Sequence, residues 1–142
     1  MRTSQNGLNL IKQFEGLRLK AYKCVAGVWT IGYGHTGSDV HEGLTINEKQ
    51  AEDLLRNDLG RLENYVNNKN YVPQTLNQNQ FDALVSFAFN LGQGNLKELC
   101  NNRKNKTLTE VAKEIPLYNK ANKKFCQGLA NRRAAELQLF LS

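Results

Sequence analysis

The stretch from Phe14 to Thr36 constrains the fold most, because it places a short glycine-rich hairpin directly after a helical segment. It reads FEGLRLKAYKCVAGVWTIGYGHT and contains the only tryptophan of the chain. Three of the 11 glycines, Gly27, Gly32 and Gly34, lie within eight positions of one another. Glycine permits tight turns and a close approach of other groups to the backbone. A glutamate before such a hairpin is typical of a cleft; a solvated hairpin with an incidental glutamate is the alternative.

Two strands are predicted within this stretch. Apolar and polar residues alternate over 17–22, which is the period of a half-buried strand. Residues 28–31 are β-branched or aromatic and predict the return strand after a turn. The two strands are therefore expected to pair antiparallel. Cys24 near the turn and Thr30 on the return strand can then point into a space shared with Glu15.

The remainder of the chain predicts helices. Capping patterns begin at Ser4 or Asn6, at Thr45, at Asn77 and at Thr107. Together with apolar periodicity and helix breakers, they predict helices over about 4–15, 45–66, 77–92, 94–102, 107–116 and 128–140. The chain between Tyr118 and Phe125 is interpreted as an irregular connection. We expect one α+β domain with a small antiparallel hairpin lobe over about 15–44. A larger helical lobe, residues 45–142 plus the first helix, would face it across a cleft.

Composition narrows the class of partner. The 142 residues carry 19 Lys and Arg against 13 Asp and Glu, a net charge of +6, and the pI is about 9.3. Such a charge favours a polyanion, either nucleic acid or an anionic cell wall. The cations are scattered except for Lys120, Lys123 and Lys124, and no nucleic-acid-binding fingerprint is present, so we expect no nucleic-acid partner. No stretch has the apolar length of a signal peptide or a membrane span, which predicts synthesis in the cytoplasm without stable membrane insertion.

The cysteines and histidines argue against a disulfide framework and against a metal site. Cys24, Cys100 and Cys126 are odd in number. Cys100 and Cys126 each follow a large apolar residue and are interpreted as buried thiols, with a bridge between them as the alternative. Cys24, His35 and His41 match no usual zinc spacing, so no metal or cofactor is expected. His35 is interpreted as a structural residue that braces the hairpin.

The hairpin block Glu15–Thr36 resembles the signature of the phage-type lysozymes, the muramidase endolysins of glycoside hydrolase family 24. The resemblance extends to QFDALVSFAFNLG (Gln80–Gly92) and to GLANRRAAELQLF (Gly128–Phe140), so three blocks in order cover nearly the whole chain. It implies a lysozyme-like fold and inverting hydrolysis of the β-1,4 link between N-acetylmuramic acid and N-acetylglucosamine in peptidoglycan. It also implies a separate holin that opens the membrane. We expect the protein to act as a monomer.

The resemblance also implies roles for individual residues. Glu15 corresponds to the general acid, which must carry a proton when it acts. Thr30, fifteen residues later, corresponds to the threonine that helps to hold the attacking water. Arg132 corresponds to an arginine that faces the catalytic glutamate. Gly34 and Thr36 are expected to line the cleft.

Cys24 departs from the family pattern, because an aspartate usually stands nine positions after the glutamate. A free thiol has a pKa of about 8.5 and needs nearby cations or donors to ionise near neutral pH. In one reading, Cys24 replaces the aspartate as the water-activating group. In a second, no water is activated and a sugar hydroxyl attacks internally, as in lytic transglycosylases. In a third, Cys24 has no catalytic part, and the chain is a weakened enzyme or a non-catalytic basic wall-binding protein.

Overall fold

A computed structural model describes residues 1–142, with helices as the main component and two small antiparallel sheets. The helices are α1 (Gln5–Glu15), α2 (Glu48–Asn67), α3 (Gln78–Asn101), α4 (Leu108–Glu114) and α5 (Gln127–Phe140), with a 3-10 turn at Ile115–Leu117. The strands are β1 (Arg18–Lys23), β2 (Trp29–Gly32), β3 (His35–Thr36), β4 (Lys120–Ala121) and β5 (Lys124–Phe125). The predicted α+β fold class is confirmed.

The first sheet contains the predicted hairpin and a third strand. Its order is β1-β2-β3, with both pairs antiparallel, and Thr30 lies opposite Tyr22 on one side and Thr36 on the other. The alternating burial predicted for 17–22 is wrong, because only Ala21 in β1 is buried and Leu19 is 41% exposed. The register shifts between Arg18 and Tyr22, and such an irregularity breaks the strict alternation of faces.

The main core lies between the helices. It has 20 buried residues, among them Leu8, Ile11, Leu84 and Phe87, each 0% exposed. Burial of a side chain of this size contributes about 1.5–3 kcal/mol. A separate group of only three buried residues, centred on Ile31, lies under the first sheet. The sheet therefore depends on its contacts with the helices for its position.

The second helix begins later than the sequence predicts. The prediction of a capping box at Thr45 is wrong: Thr45 forms a β-bridge with Lys20, and the Ile46 N–H donates to the Leu19 carbonyl at 2.9 Å. Thr45 and Ile46 therefore have an extended backbone and add to the edge of the first sheet. The capping box belongs to Asn47 and Gln50, whose side chains each accept from the other residue's N–H at 2.8 and 2.9 Å.

The other helix boundaries follow the sequence closely. The capping boxes at Asn77 and Thr107 are confirmed. Gly92 has φ 87° and breaks the helical geometry within α3, so the predicted interruption there is confirmed. Pro116 lies in the 3-10 turn that ends α4, also as predicted.

The first helix is anchored through a buried aspartate. Ser4 occupies the N-cap position of α1, but its side chain makes no capping bond. The Asp82 carboxylate on α3 instead accepts the Ser4 N–H at 3.0 Å and also the Ser4 hydroxyl. Asp82 is 0% exposed, so this contact fixes the start of α1 against the central helix. The position of Glu15, at the other end of α1, is set in part by this anchor.

The irregular connection predicted between Tyr118 and Phe125 is wrong, because β4 and β5 form a small hairpin there. Asn122 and Lys123 adopt φ 50° and 66° at its turn, a conformation that the sequence signals poorly without glycine. No helix combines the length and the apolar character that crossing a lipid bilayer demands.

Candidate active site

Glu15 lies where α1, the first sheet and α5 meet. It is the last residue of α1, and its side chain is 22% exposed. One carboxylate oxygen, Oε2, accepts a hydrogen bond from Arg132 Nη1 at 2.6 Å. The next residue, Gly16, has φ 73° and turns the chain out of the helix toward β1. Glu15 therefore combines a fixed orientation with access to solvent.

Gly34 approaches the other oxygen of the same carboxylate. It has φ 82°, and a Cβ built at this position would lie 3.4 Å from Glu15 Oε1. A side chain at position 34 would thus be strained and would crowd the carboxylate. The glycine allows the loop between β2 and β3 to pass beside Glu15.

Arg132 is held by α3 and α5 as well as by Glu15. Its side chain is 5% exposed. The Arg132 Nε atom lies 3.4 Å from Glu136 Oε2, and Nη2 lies 3.4 Å from the carbonyl and hydroxyl oxygens of Ser86. Glu136 is 0% exposed, so Arg132 and Glu136 form a buried pair although they are four residues apart on one helix. The bundle surrounds this pair because both residues face α3.

Cys24 and Thr30 lie together at the far end of the hairpin. The Cys24 N–H donates to the Val28 carbonyl at 3.0 Å, and the Gly27 N–H donates to the Cys24 carbonyl at 2.8 Å, which closes a tight turn. The backbone N–H groups of Val28 and Ala26 lower the pKa of the Cys24 thiol against the opposing effect of burial, and the Thr30 hydroxyl lowers it further. The surroundings of Cys24 therefore favour the thiolate.

The threonines of the sheet differ in exposure. Thr30 is 5% exposed, and its hydroxyl donates to the Val28 carbonyl at 3.0 Å. Thr36 is exposed and pairs with Thr30 across β2 and β3. Contacts thus join Glu15 to Gly34 and Arg132, and a separate set of contacts joins Thr30 to Cys24 and Thr36.

His35 braces the sheet against α2, as the sequence predicts. Its Nδ1 atom lies 2.8 Å from Asp58 Oδ2, and its Nε2 atom lies 3.0 Å from Asp39 Oδ2. Burial alone would lower the pKa of His35, but its hydrogen bonds with the two carboxylates outweigh burial and raise that pKa. The imidazole therefore links β3 to α2, and the two carboxylates make it easier to protonate than an ordinary histidine.

The cysteines form no disulfide, and four surface cavities lie away from Glu15. All three cysteines are free, so no Cys100–Cys126 bridge forms, and burial raises the pKa of Cys100 to about 12. Cys100 is buried as predicted, whereas Cys126 is only half-buried. Four of the nine surface cavities have volumes of about 230–510 Å³ and open elsewhere, and none of these four is lined by Glu15. No group of three or more His, Cys, Asp or Glu side chains is placed to hold a metal ion.

The residues that sequence reasoning missed are the buried polar partners of Arg132. Arg133 donates from Nε to Glu136 Oε1 at 2.6 Å and from Nη2 to Asn90 Oδ1 at 2.8 Å. The Ser86 hydroxyl donates to Glu136 Oε2 at 2.6 Å. Two signals could have found them: a lone serine within the apolar run of α3, and a glutamate three and four residues after adjacent arginines.

Comparison with known proteins places the chain in a family. Residues 12–136 match the model of the family described as phage lysozyme. The endolysin of Bacillus phage PZA is 50% identical over 149 residues, and the match covers 100% of this chain but 56% of that protein. The chain thus spans about half the length of that relative. The endolysin of Salmonella phage P22 is 38% identical over 148 residues, covering 100% of this chain and 99% of that protein.

A solved structure agrees in fold over the whole chain. The muramidase domain of SpmX from Asticaccaulis excentricus superposes with a TM-score of 0.87 and 39% identity. The match covers 99% of this chain and 98% of that domain. The sequence match and the superposition both include the helix end, the hairpin and the final helix that position Glu15 and Arg132. This chain belongs to the phage lysozyme family.

Proposed function

We propose that this chain is a peptidoglycan hydrolase that cleaves the β-1,4 bond between N-acetylmuramic acid and N-acetylglucosamine. The observation that carries the proposal is the Glu15 carboxylate, fixed by Arg132 at 2.6 Å and still 22% exposed, in a member of the phage lysozyme family. The substrate strand would lie between the hairpin lobe of residues 15–44 and the helical remainder.

Glu15 acts as the general acid in this proposal. It donates a proton to the leaving glycosidic oxygen as the sugar develops oxocarbenium character. Glu15 is the last residue of α1, and its hydrogen bond from Arg132 Nη1 at 2.6 Å holds the carboxyl in place. A bound sugar strand would exclude water from the site.

Cys24 and Thr30 prepare the attacking water. The lowered pKa of Cys24 supports a thiolate that accepts a proton from this water, and the adjacent Thr30 hydroxyl helps to orient the water. An inverting hydrolase places its acid and base about 6.5–9.5 Å apart, which leaves room for one water. Gly34 and Thr36 supply backbone and hydroxyl contacts for the sugar.

The cationic surface supports the choice of substrate. A net charge of +6 attracts an anionic wall and raises the rate of encounter. We further propose that the protein acts as a monomer and reaches the wall through a membrane lesion made by a separate holin.

A lytic transglycosylase is the second candidate function, because a thiol stands where the family pattern has a carboxylate. That reaction needs only one glutamate and forms an anhydro sugar by internal attack. Mass spectrometry of purified peptidoglycan after digestion separates the two reactions. We expect products that end in a reducing muramic acid, which indicates hydrolysis. Products that end in an anhydro sugar would instead indicate transglycosylation. If the protein binds the wall but releases no soluble products, it is a wall-binding protein without this activity.

Thiol alkylation tests the role of Cys24. We expect alkylation to abolish turnover in the wild type, and Cys24→Ala to lose activity to a similar extent. Cys126→Ala is the matched control, because this second half-buried thiol lies at the N-cap of α5, outside the hairpin that carries Cys24. Full activity of Cys24→Ala would remove the thiol from the mechanism.

A further inference from the structure

A buried charge network extends inward from Glu15, and the reaction proposed above uses only its Glu15 end directly. It contains Glu15, Arg132, Arg133 and Glu136, two cations and two anions. Arg132 is 4% exposed, and Arg133 and Glu136 are both 0% exposed. Only Glu15 reaches solvent appreciably, so the network has a single open end.

Glu136 is the centre of the network. Its two oxygens accept from the Ser86 hydroxyl at 2.6 Å, from Arg133 Nε and Nη2 at 2.6 and 3.0 Å, and from Arg132 Nε at 3.4 Å. Three of these contacts reach Oε2 and one reaches Oε1, so both oxygens of the carboxylate are engaged. The side chain is therefore fixed in one orientation.

Glu136 and Ser86 in turn orient Arg132. They occupy Nε and Nη2 of its guanidinium, which leaves Nη1 directed at Glu15. A planar guanidinium with two of its edges engaged cannot rotate freely. The contacts that Arg132 makes with Glu136 and Ser86 therefore set the direction of its hydrogen bond to Glu15.

The charge of Glu136 also limits the effect of Arg132. With Glu136 ionised, the two arginines are opposed by two carboxylates. Without that negative charge, two buried cations would face Glu15 alone and would favour its ionised form more strongly. A fully buried ion pair is weak support for stability, since well-packed apolar residues often serve as well. A role in the chemistry accounts for the network better than stability does.

We propose that Glu136 is a positioning residue, which orients Arg132 and offsets its positive charge beside Glu15. The proposal rests on the proposed function, in which Glu15 is the acid. Glu136 itself does not touch the substrate.

The pH dependence of kcat on purified peptidoglycan tests this role. In Glu136→Gln, we expect the alkaline limb to move to lower pH, so that the rate relative to wild type falls by about tenfold between acidic and neutral pH. Glu136→Asp keeps the charge but shortens the side chain, and should lower kcat without moving the limb. A structural role alone would lower the amount of folded enzyme equally at every pH.

Two further variants keep the test decisive. Glu114→Gln is the matched control, since it removes a carboxylate from the Arg103 and Lys106 ion pairs, which do not contact Glu15. It should reduce thermal stability and leave the pH profile unchanged. If Glu136→Gln does not fold, Ser86→Ala removes the hydroxyl that orients Glu136, and a severalfold loss in kcat at unchanged KM is expected.

The outcomes separate this role from the function itself. Folded Glu136 and Ser86 variants with the kcat and pH profile of the wild type would overturn the positioning role while hydrolysis stands. Full activity of Glu15→Gln would overturn the proposed function and the positioning role with it.

Discussion

The ion pair between His35 and Asp58 should stabilise the protein in a pH-dependent way. The two side chains are 10% and 27% exposed, and their closest atoms lie 2.8 Å apart. A hydrogen bond to a charged group contributes about 1.5–3 kcal/mol, and partial exposure of Asp58 puts this bond near the lower end. Asp58→Asn should therefore cost about 2 kcal/mol, or roughly 6 °C in Tm for a chain of this size.

The sign of the pH dependence follows from the raised pKa of His35. The folded state binds the imidazole proton more tightly than the unfolded state, whose histidine titrates near the ordinary value of 6.5. The stabilisation is thus fully present below about pH 6.5 and is lost as pH rises through the raised pKa. The second partner, Asp39, has its pKa lowered by the hydrogen bond from His35, so its contribution is lost only as pH falls through that lowered value.

Thermal unfolding followed by circular dichroism at about pH 5 and about pH 9 tests this reasoning. The Tm difference between wild type and Asp58→Asn should be larger at the lower pH. Asp53→Asn serves as the control, because Asp53 and its partner Lys49 are 59% and 84% exposed and their pair should contribute little. An equal Tm difference at both pH values, or none at either, would refute the charged link.

Three other changes have distinct expected results. Cys24→Asp should retain hydrolysis and extend it to lower pH, because an ordinary carboxyl ionises near 4, well below an ordinary thiol near 8.5, and the surroundings of Cys24 lower the thiol pKa only in part toward it. An acidic limb unchanged in the pH–rate profile would contradict this. Gly34→Ala should lower kcat more than Gly43→Ala. Both glycines have positive φ, but only a Cβ at position 34 would lie beside Glu15. Equal losses of kcat would mean that backbone strain, and not crowding of Glu15, lowers the activity. Phe87→Ala should cost about 3–5 kcal/mol in urea unfolding, since this ring is fully buried, and a loss below about 1 kcal/mol would contradict its place in the core.

Most of the helices could be predicted because their signals are local. The capping boxes at Asn77 and Thr107 and the break at Gly92 depend on neighbouring residues only. Thr45 and Asn47 both begin a plausible capping box, and the choice between them is made by the bridge from Lys20 to Thr45. That contact joins residues 25 positions apart, so the capping pattern alone could not reveal it.

Glu15 and Arg132 could be predicted as residues of the candidate site, but the residues that hold Arg132 in place could not. Glu15 and Arg132 followed from the resemblance, and their contact at 2.6 Å joins residues 117 positions apart. The roles of Ser86 and Glu136 depend on which faces of α3 and α5 meet. Amphipathic periodicity does not resolve this, because α5 mixes buried charged residues with apolar ones.

The central claim is that Glu15 delivers the proton in glycosidic cleavage, and the most direct test is the rate at which reducing ends are released from purified peptidoglycan. Glu15→Gln preserves the shape of the side chain and removes its acid, so the rate should fall by at least about 100-fold. Glu42→Gln, a change at an exposed loop residue, should keep the wild-type rate. A Glu15→Gln rate within about twofold of wild type, in a protein shown to be folded, would contradict the claim.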